Sequence, residues 1–181
     1  MTTERPILFS APMIRALLAG TKTQTRRVVK DTGLYAIDAA VHGPETAARE
    51  LLALASRCPY GQPGHKLWVR ETHMDLGACY LYRADPGAET ERALVAPGQR
   101  WKPAIHMPRA ASRITLEVTG VRVERVASIS ESDAIAEGID VTDGEQPSVT
   151  FARLWDSING QRAPWQSNPW VWVVAFRLAS S

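Results

Sequence analysis

The sequence predicts an α+β fold: a small, curved mixed sheet or β-barrel with short helices packed at its ends. Strand-like segments stand near both ends of the chain. Three of the five or so strands follow one another without a long helix between them, which argues against a doubly wound parallel sheet. The helical segments are short and interspersed among the strands. The 181 residues suit one domain spanning 1–181, and no stretch reads as an interdomain linker.

Each element has a local reason. Ile7-Leu8-Phe9 reads as a short strand. Ser10 offers an N-cap, Pro12 suits a first helical turn and Gly20 a stop, so a helix is expected between them, with Met13, Leu17 and Leu18 on one side. Thr21 to Val29 is polar, β-branched and basic, with no helical stripe. Residues 31 to 43 read as loop, and Pro44 to Ser56 as a second helix opened by its proline. Leu67 to Thr72 reads as a strand whose period of two puts Leu67, Val69 and Glu71 on one face. Ala78 to Ala84 is its expected hairpin partner or neighbour, and Asp85 to Gln99 a polar loop. Ile114 to Val126 alternates strictly until Gly120, where the phase slips, so a bulge or bend is expected there. Ser130-Glu-Ser-Asp133 resembles a capping box, with Gly138 as stop. Phe151, Leu154, Trp155 and Ile158 form a helical stripe that Gly160 ends. Pro169 to Leu178 is apolar on both faces and so an interior strand, and the tryptophans around it read as barrel filling.

Composition excludes several classes. Hydrophobic residues are 45% and charged residues 22%, an ordinary globular balance. A net charge of +2 excludes a polybasic protein by bulk charge. Two cysteines make no disulfide framework, and a reduced, cytoplasmic setting is expected. The N-terminus has no cationic region followed by an apolar core, so no signal peptide is expected. The longest nearly apolar run, Trp170 to Phe176, is too short to span a bilayer, and no membrane partner is expected. Cys58, His65, His73 and Cys79 have spacings that match no zinc pattern, so neither metal nor cofactor is expected.

Charge is segregated along the chain. Residues 1–30 carry a net +5 and residues 100–125 a net +4, while residues 131–145 carry −6 with no base. Two basic segments converging on one anionic ligand, such as a phosphate backbone, is one reading; solvated faces is the other. Arginine makes up 17 of the 21 basic residues, a planar donor suited to phosphate and carboxylate but also the mark of a GC-rich genome.

Three positions stand out chemically. In Gly20-x-Lys22-x-x-Thr25-x-Arg27, a threonine hydroxyl beside a lysine of lowered pKa can serve as nucleophile and base, although an extended backbone turns them to opposite faces; the segment also reads as a solvated loop. Glu137, at the end of the Ser130 helix, meets the negative end of the helix dipole, which suits a general acid or base and equally a frayed helix end. Glu71 shares a face with Leu67 and Val69, so it points inward and needs a partner, either a structural arginine or a ligand.

Several segments resemble ASCH-domain proteins, specifically their phage- and prophage-associated branch. They are Arg5-Pro-Ile-Leu-Phe-Ser-Ala-Pro-Met-Ile-Arg15, Gly20 to Arg27, Cys58-Pro-Tyr-Gly61, and Gly64-x-x-Leu-Trp-Val-Arg-Glu71. Ile105-His-Met-Pro-Arg109, Ala111-Ser-Arg-Ile114, Asp133 to Ile139, Leu154-Trp-Asp-Ser-Ile158 and Asn168 to Trp172 continue the resemblance. It implies a PUA-like barrel, here with an inserted helix and loop near 32–60 and 85–100. It implies two functions. One is amidohydrolysis of N4-acetylcytidine or a similar acylated cytidine, with Lys22, Thr25 and Glu137 catalytic. The other is a non-catalytic RNA- or nucleotide-binding module, or a ribonuclease using the same basic cleft. Arg26, Arg27, Trp68, Arg70, Glu71, Arg109, Ser112 and Arg113 are the implied binding residues, with a modified nucleoside or RNA as partner. His65, His73 and Ala110 depart from the branch, which has Asp, Trp and Trp there, and such rings and loops bear on the substrate.

Overall fold

The protein is described by a computed structural model over residues 3–30, 43–93, 98–140 and 144–179. The loop expected over residues 31–42 and part of that at 85–99 lie outside the described residues.

Five strands form the main sheet in the order β1-β3-β6-β7-β2: β1 (Glu4–Leu8), β2 (Gln24–Val28), β3 (Lys66–Arg70), β6 (Thr115–Arg125) and β7 (Trp170–Leu178). β1 and β3 are parallel, and every other pair is antiparallel, so the sheet is mixed. It does not close into the expected barrel. Among the described residues, edge strands β1 and β2 share no ladder. Side chains bridge the seam between them instead: Arg27 Nη2 donates to the Leu8 carbonyl at 2.6 Å, and its guanidinium lies over the Phe9 ring.

β7 is buried on both faces because its two sets of side chains enter two different cores. Trp172, Val174 and Phe176 pack with Ile14 and Leu17 of α1 (Ala11–Leu18) and with α2 (Pro44–Ser56). Val171 and Val173 pack with Ala134 of α4 (Glu131–Ala136) and with Phe151 and Trp155 of α5 (Pro147–Asn159). The tryptophans are thus divided between two layers and fill no barrel: Trp172 and Trp170 in the first, Trp155 and Trp165 in the second. The slip in β6 is present. Val118 pairs with Phe176 and Gly120 with Ala175, so Thr119 is the extra residue and Val121 and Val123 resume the inward phase.

Several local expectations need correction. In α1 the buried pair is Ile14 and Leu17, with Met13 only partly buried and Leu18 half exposed, because the inner stripe centres on Ile14 and Leu17. Ser10 occupies the N-cap position without a side-chain hydrogen bond. Tyr80–Tyr82 (β5) pairs with His73–Asp75 (β4), not with the preceding long strand, and the two form a separate small sheet. Ala88–Ala93 is a short helix (α3) within the expected polar loop, where buried Ala88 packs with Met74 and Leu81. Ile158, at the end of the apolar stripe, is 58% exposed.

Candidate functional site

A cavity of about 490 Å³ runs along the free edge of β2. That volume lies in the range of small-molecule sites. Because β2 is an edge, side chains from both of its faces reach the cavity. Thr25 and Arg27 pair across with Val174 and Trp172, on the α1 side, whereas Arg26 pairs with Val173, on the α5 side. The wall includes Thr25, Arg26, Arg27 and Glu137, with Phe9 and Tyr60 on one side and Phe151, Leu154, Trp155 and Ile158 on the other. Among the described residues the Thr25 hydroxyl has no hydrogen-bond partner.

Lys22 stands behind this wall, bonded to Glu137. Its ammonium donates to Glu137 Oε2 at 2.9 Å, to the Glu137 carbonyl at 2.7 Å and to the Gln24 carbonyl at 2.9 Å. The backbone of Lys22 also bridges that of Glu137, and Thr23 N–H donates to the Ala136 carbonyl. The C-terminal end of α4 is thereby tied to the segment entering β2, and it blunts an otherwise open sheet edge. Gly138 permits the approach. Its φ is +89°, and a Cβ there would meet Ala16 Cβ at 3.0 Å and Lys22 Cβ at 3.2 Å. The Lys22 side chain is wholly buried, which pushes its pKa below the ordinary lysine range, while the Glu137 charge opposes that shift.

Arg26 completes a dense ionic cluster. It donates to Glu137 Oε1 at 3.2 Å, to Glu124 at 2.6 Å and to Asp133 at 2.8 Å, and Arg122 contacts the last two from the surface. The negative end of α4 at Glu137 thus faces two cations. The basic and acidic segments that stand apart in the sequence neutralise each other here. Burial works to raise the Asp133 carboxyl, but the Arg26 hydrogen bond and the Arg122 and Arg26 charges outweigh it and hold the pKa below the usual aspartate value. A depressed carboxylate contributes stability above its unfolded pKa of about 3.9, and that contribution is lost as pH falls through the folded value. We expect the melting temperature to drop more steeply below about pH 4 in the native protein than in Asp133→Asn. Equal slopes in pH-dependent thermal melts would contradict this role.

The other sequence-selected residues lie outside the wall of this cavity. Glu71 is fully buried at the end of β3 and takes both hydrogen bonds from Arg113, at 2.9 and 3.1 Å. Arg113 also binds Asp85 and lies 3.9 Å from the Tyr82 ring centre, so this group joins the small β4–β5 sheet to the main one. Arg70 and Arg109 flank Trp68; Arg70 donates to the Ile105 carbonyl, and Arg109 pairs with Glu4 at 2.9 Å. Ser112 donates to the Val69 carbonyl at 2.8 Å. His65 accepts from Gln62 N–H, buried His73 faces the Glu71 carbonyl, and Ala110 is exposed; none of the three lines the cavity.

Phe9, Tyr60 and the α5 stripe were not singled out as site residues by the sequence. A period of 3–4 marks a buried face whether core or ligand covers it.

No family model matches the chain, and no curated protein matches it. Among solved structures it is similar to a DUF984 protein of Enterococcus faecalis V583, with a TM-score of 0.45 and 11% identity over 99% of this chain and 81% of that one. It is also similar to an ASCH domain of Lactobacillus crispatus JV V101, with a TM-score of 0.45 and 12% identity over 97% and 79% of the two chains. These likenesses decide neither family nor activity. No helix among the described residues is long and apolar enough to cross a membrane.

Proposed function

We propose that the chain hydrolyses an acylated cytidine or a similar modified nucleoside in the cavity beside β2. One observation carries the reading: Thr25, whose hydroxyl has no hydrogen-bond partner among the described residues, lines a cavity backed by a buried lysine–glutamate pair. The resemblance to ASCH domains and their N4-acetylcytidine amidohydrolase adds support. Thr25 Oγ1 attacks the acyl carbon, and its proton passes to the Lys22–Glu137 pair. The pair returns the proton to the departing nucleoside amine, which breaks the amide bond. Water then cleaves the acyl-threonine, releasing a carboxylate and restoring the hydroxyl.

The rival reading is a module that binds RNA without chemistry. Phosphate-backbone binding draws on free surface cations, and here Arg26, Arg109, Arg113 and Arg122 are each paired with carboxylates, while Arg27 and Arg70 among the described residues are not. That pairing favours the small-ligand reading. The test is a panel of acylated nucleosides, N4-acetylcytidine first. We expect release of cytidine by the native protein and at least a 100-fold fall in kcat for Thr25→Ala with melting temperature little changed, the size of effect typical for a group acting on the reacting atoms. No turnover at high protein concentration, with RNA affinity that falls steeply with salt, would replace this reading by the rival.

A further inference from the structure

Arg27 differs from Arg26, the other arginine among the described residues of this wall. Among the described residues it has no carboxylate partner. Its guanidinium lies 5.4 Å from the Phe9 ring centre and 5.9 Å from that of Tyr60. Nη2 donates to the Leu8 carbonyl, whereas Nε is buried without an acceptor among the described residues. Two aromatic faces and one backbone carbonyl hold the group in place. They do not neutralise it; the Glu137 charge acts on it but is already engaged by Lys22 and Arg26, and a buried charge so weakly compensated is unfavourable. Arg26 shows the contrast, since three carboxylates surround it. Among the described residues the charged side chains of the wall are Arg26, Arg27 and Lys30 against one carboxylate, Glu137, which Lys22 and Arg26 already engage. The cavity therefore presents surplus positive charge, and it is concentrated at a planar donor suited to two-point contact with carboxylate or phosphate.

We propose that Arg27 anchors an anionic group of the ligand, so that the cavity takes a molecule bearing a carboxylate or a phosphate in preference to a neutral nucleoside. The inference rests on the proposed function only in taking this cavity as the ligand site. On an acylated cytidine the anion is either a carboxylate at the far end of the acyl chain or a phosphate on the ribose. Burial lowers the Arg27 pKa, and a bound anion would reverse that penalty.

Calorimetric titration tests this, first with succinate and inorganic phosphate as probes. Saturable binding is expected in the native protein, at least ten times weaker in Arg27→Gln and intermediate in Arg27→Lys, which keeps the charge without the fork. Arg177→Gln, which alters an exposed arginine paired with Glu117, is expected to bind as the native protein does. Absence of saturable binding, or an equal loss in Arg177→Gln, would overturn the proposal. Cytidine 5′-monophosphate against cytidine, and N4-succinylcytidine against N4-acetylcytidine, separate the two sources. A tenfold preference for the charged member of either pair, lost in Arg27→Gln, supports that source; no preference in both pairs overturns the inference. Anion binding at Arg27 without turnover of any acylated nucleoside keeps this inference and removes the hydrolase. Turnover of N4-acetylcytidine that Arg27→Gln leaves intact, without anion binding, does the reverse.

Discussion

Replacing Glu137 by alanine is expected to destabilise the fold by about 3–5 kcal/mol, the range for breaking a buried ion pair from one side. The Glu137 side chain is 4% exposed and accepts from Lys22 and Arg26, both with fully buried side chains. Removing it leaves the Lys22 ammonium with a charge and no counter-charge. Arg26 keeps Glu124 and Asp133, so most of the loss falls on Lys22. The double variant Lys22→Met/Glu137→Leu is therefore expected to recover part of the stability, because it removes both charges and retains volume. Urea unfolding of the two single variants and the double variant measures this directly. A double variant as unstable as the sum of the singles would show that the two groups act independently.

Trp155→Ala is expected to destabilise by about 3–5 kcal/mol, the usual size for removing a buried tryptophan. Trp155 is 3% exposed, packs with Phe151 at 6.2 Å between ring centres, and donates to the Ala163 carbonyl at 2.8 Å. The substitution leaves that acceptor unpaired and opens the core behind the α5 wall. Ile158→Ala, on the same helix, removes a side chain that is largely exposed, and its effect on stability should stay within about 0.5 kcal/mol. Because both residues line the cavity, the pair separates wall from core: ligand affinity should fall in each, stability only in the first. Similar urea midpoints for the two variants would contradict the assignment of Trp155 to the second core.

Local features were the most legible in the sequence. The double-sided apolar run at Trp170–Leu178, the phase slip at Gly120 and the Ser130 cap each arise from neighbours in the chain, and each is present. Closure of the sheet was not legible, because no local pattern records whether two edges separated by β3, β6 and β7 meet. The fate of the charges was equally hidden. Arg26 meets Glu124 and Asp133 roughly a hundred residues away, so a charge map summed by segment sees surplus where the fold has pairs. The motif from Gly20 to Arg27 and the helix end at Glu137 drew attention to residues that do adjoin. The aromatic and aliphatic wall around them escaped notice because core and cavity share one periodicity.

The strand order also sets when the site can exist. Thr25 and Arg27 are held by hydrogen bonding of β2 to β7, with Thr25 opposite Val174. β7 itself has β6 as its other neighbour. A ribosome that has delivered residues 22 to 27 and then Glu137 has delivered the Lys22–Glu137 and Thr23–Ala136 contacts, but not the strand that holds Thr25 and Arg27 in register, which waits for residues 170–178 to emerge. Pairing across so much chain is slow to form. The candidate site is thus assembled late in synthesis, and the nascent chain carries Lys22, Thr25 and Glu137 without the cavity that Thr25 and Glu137 border.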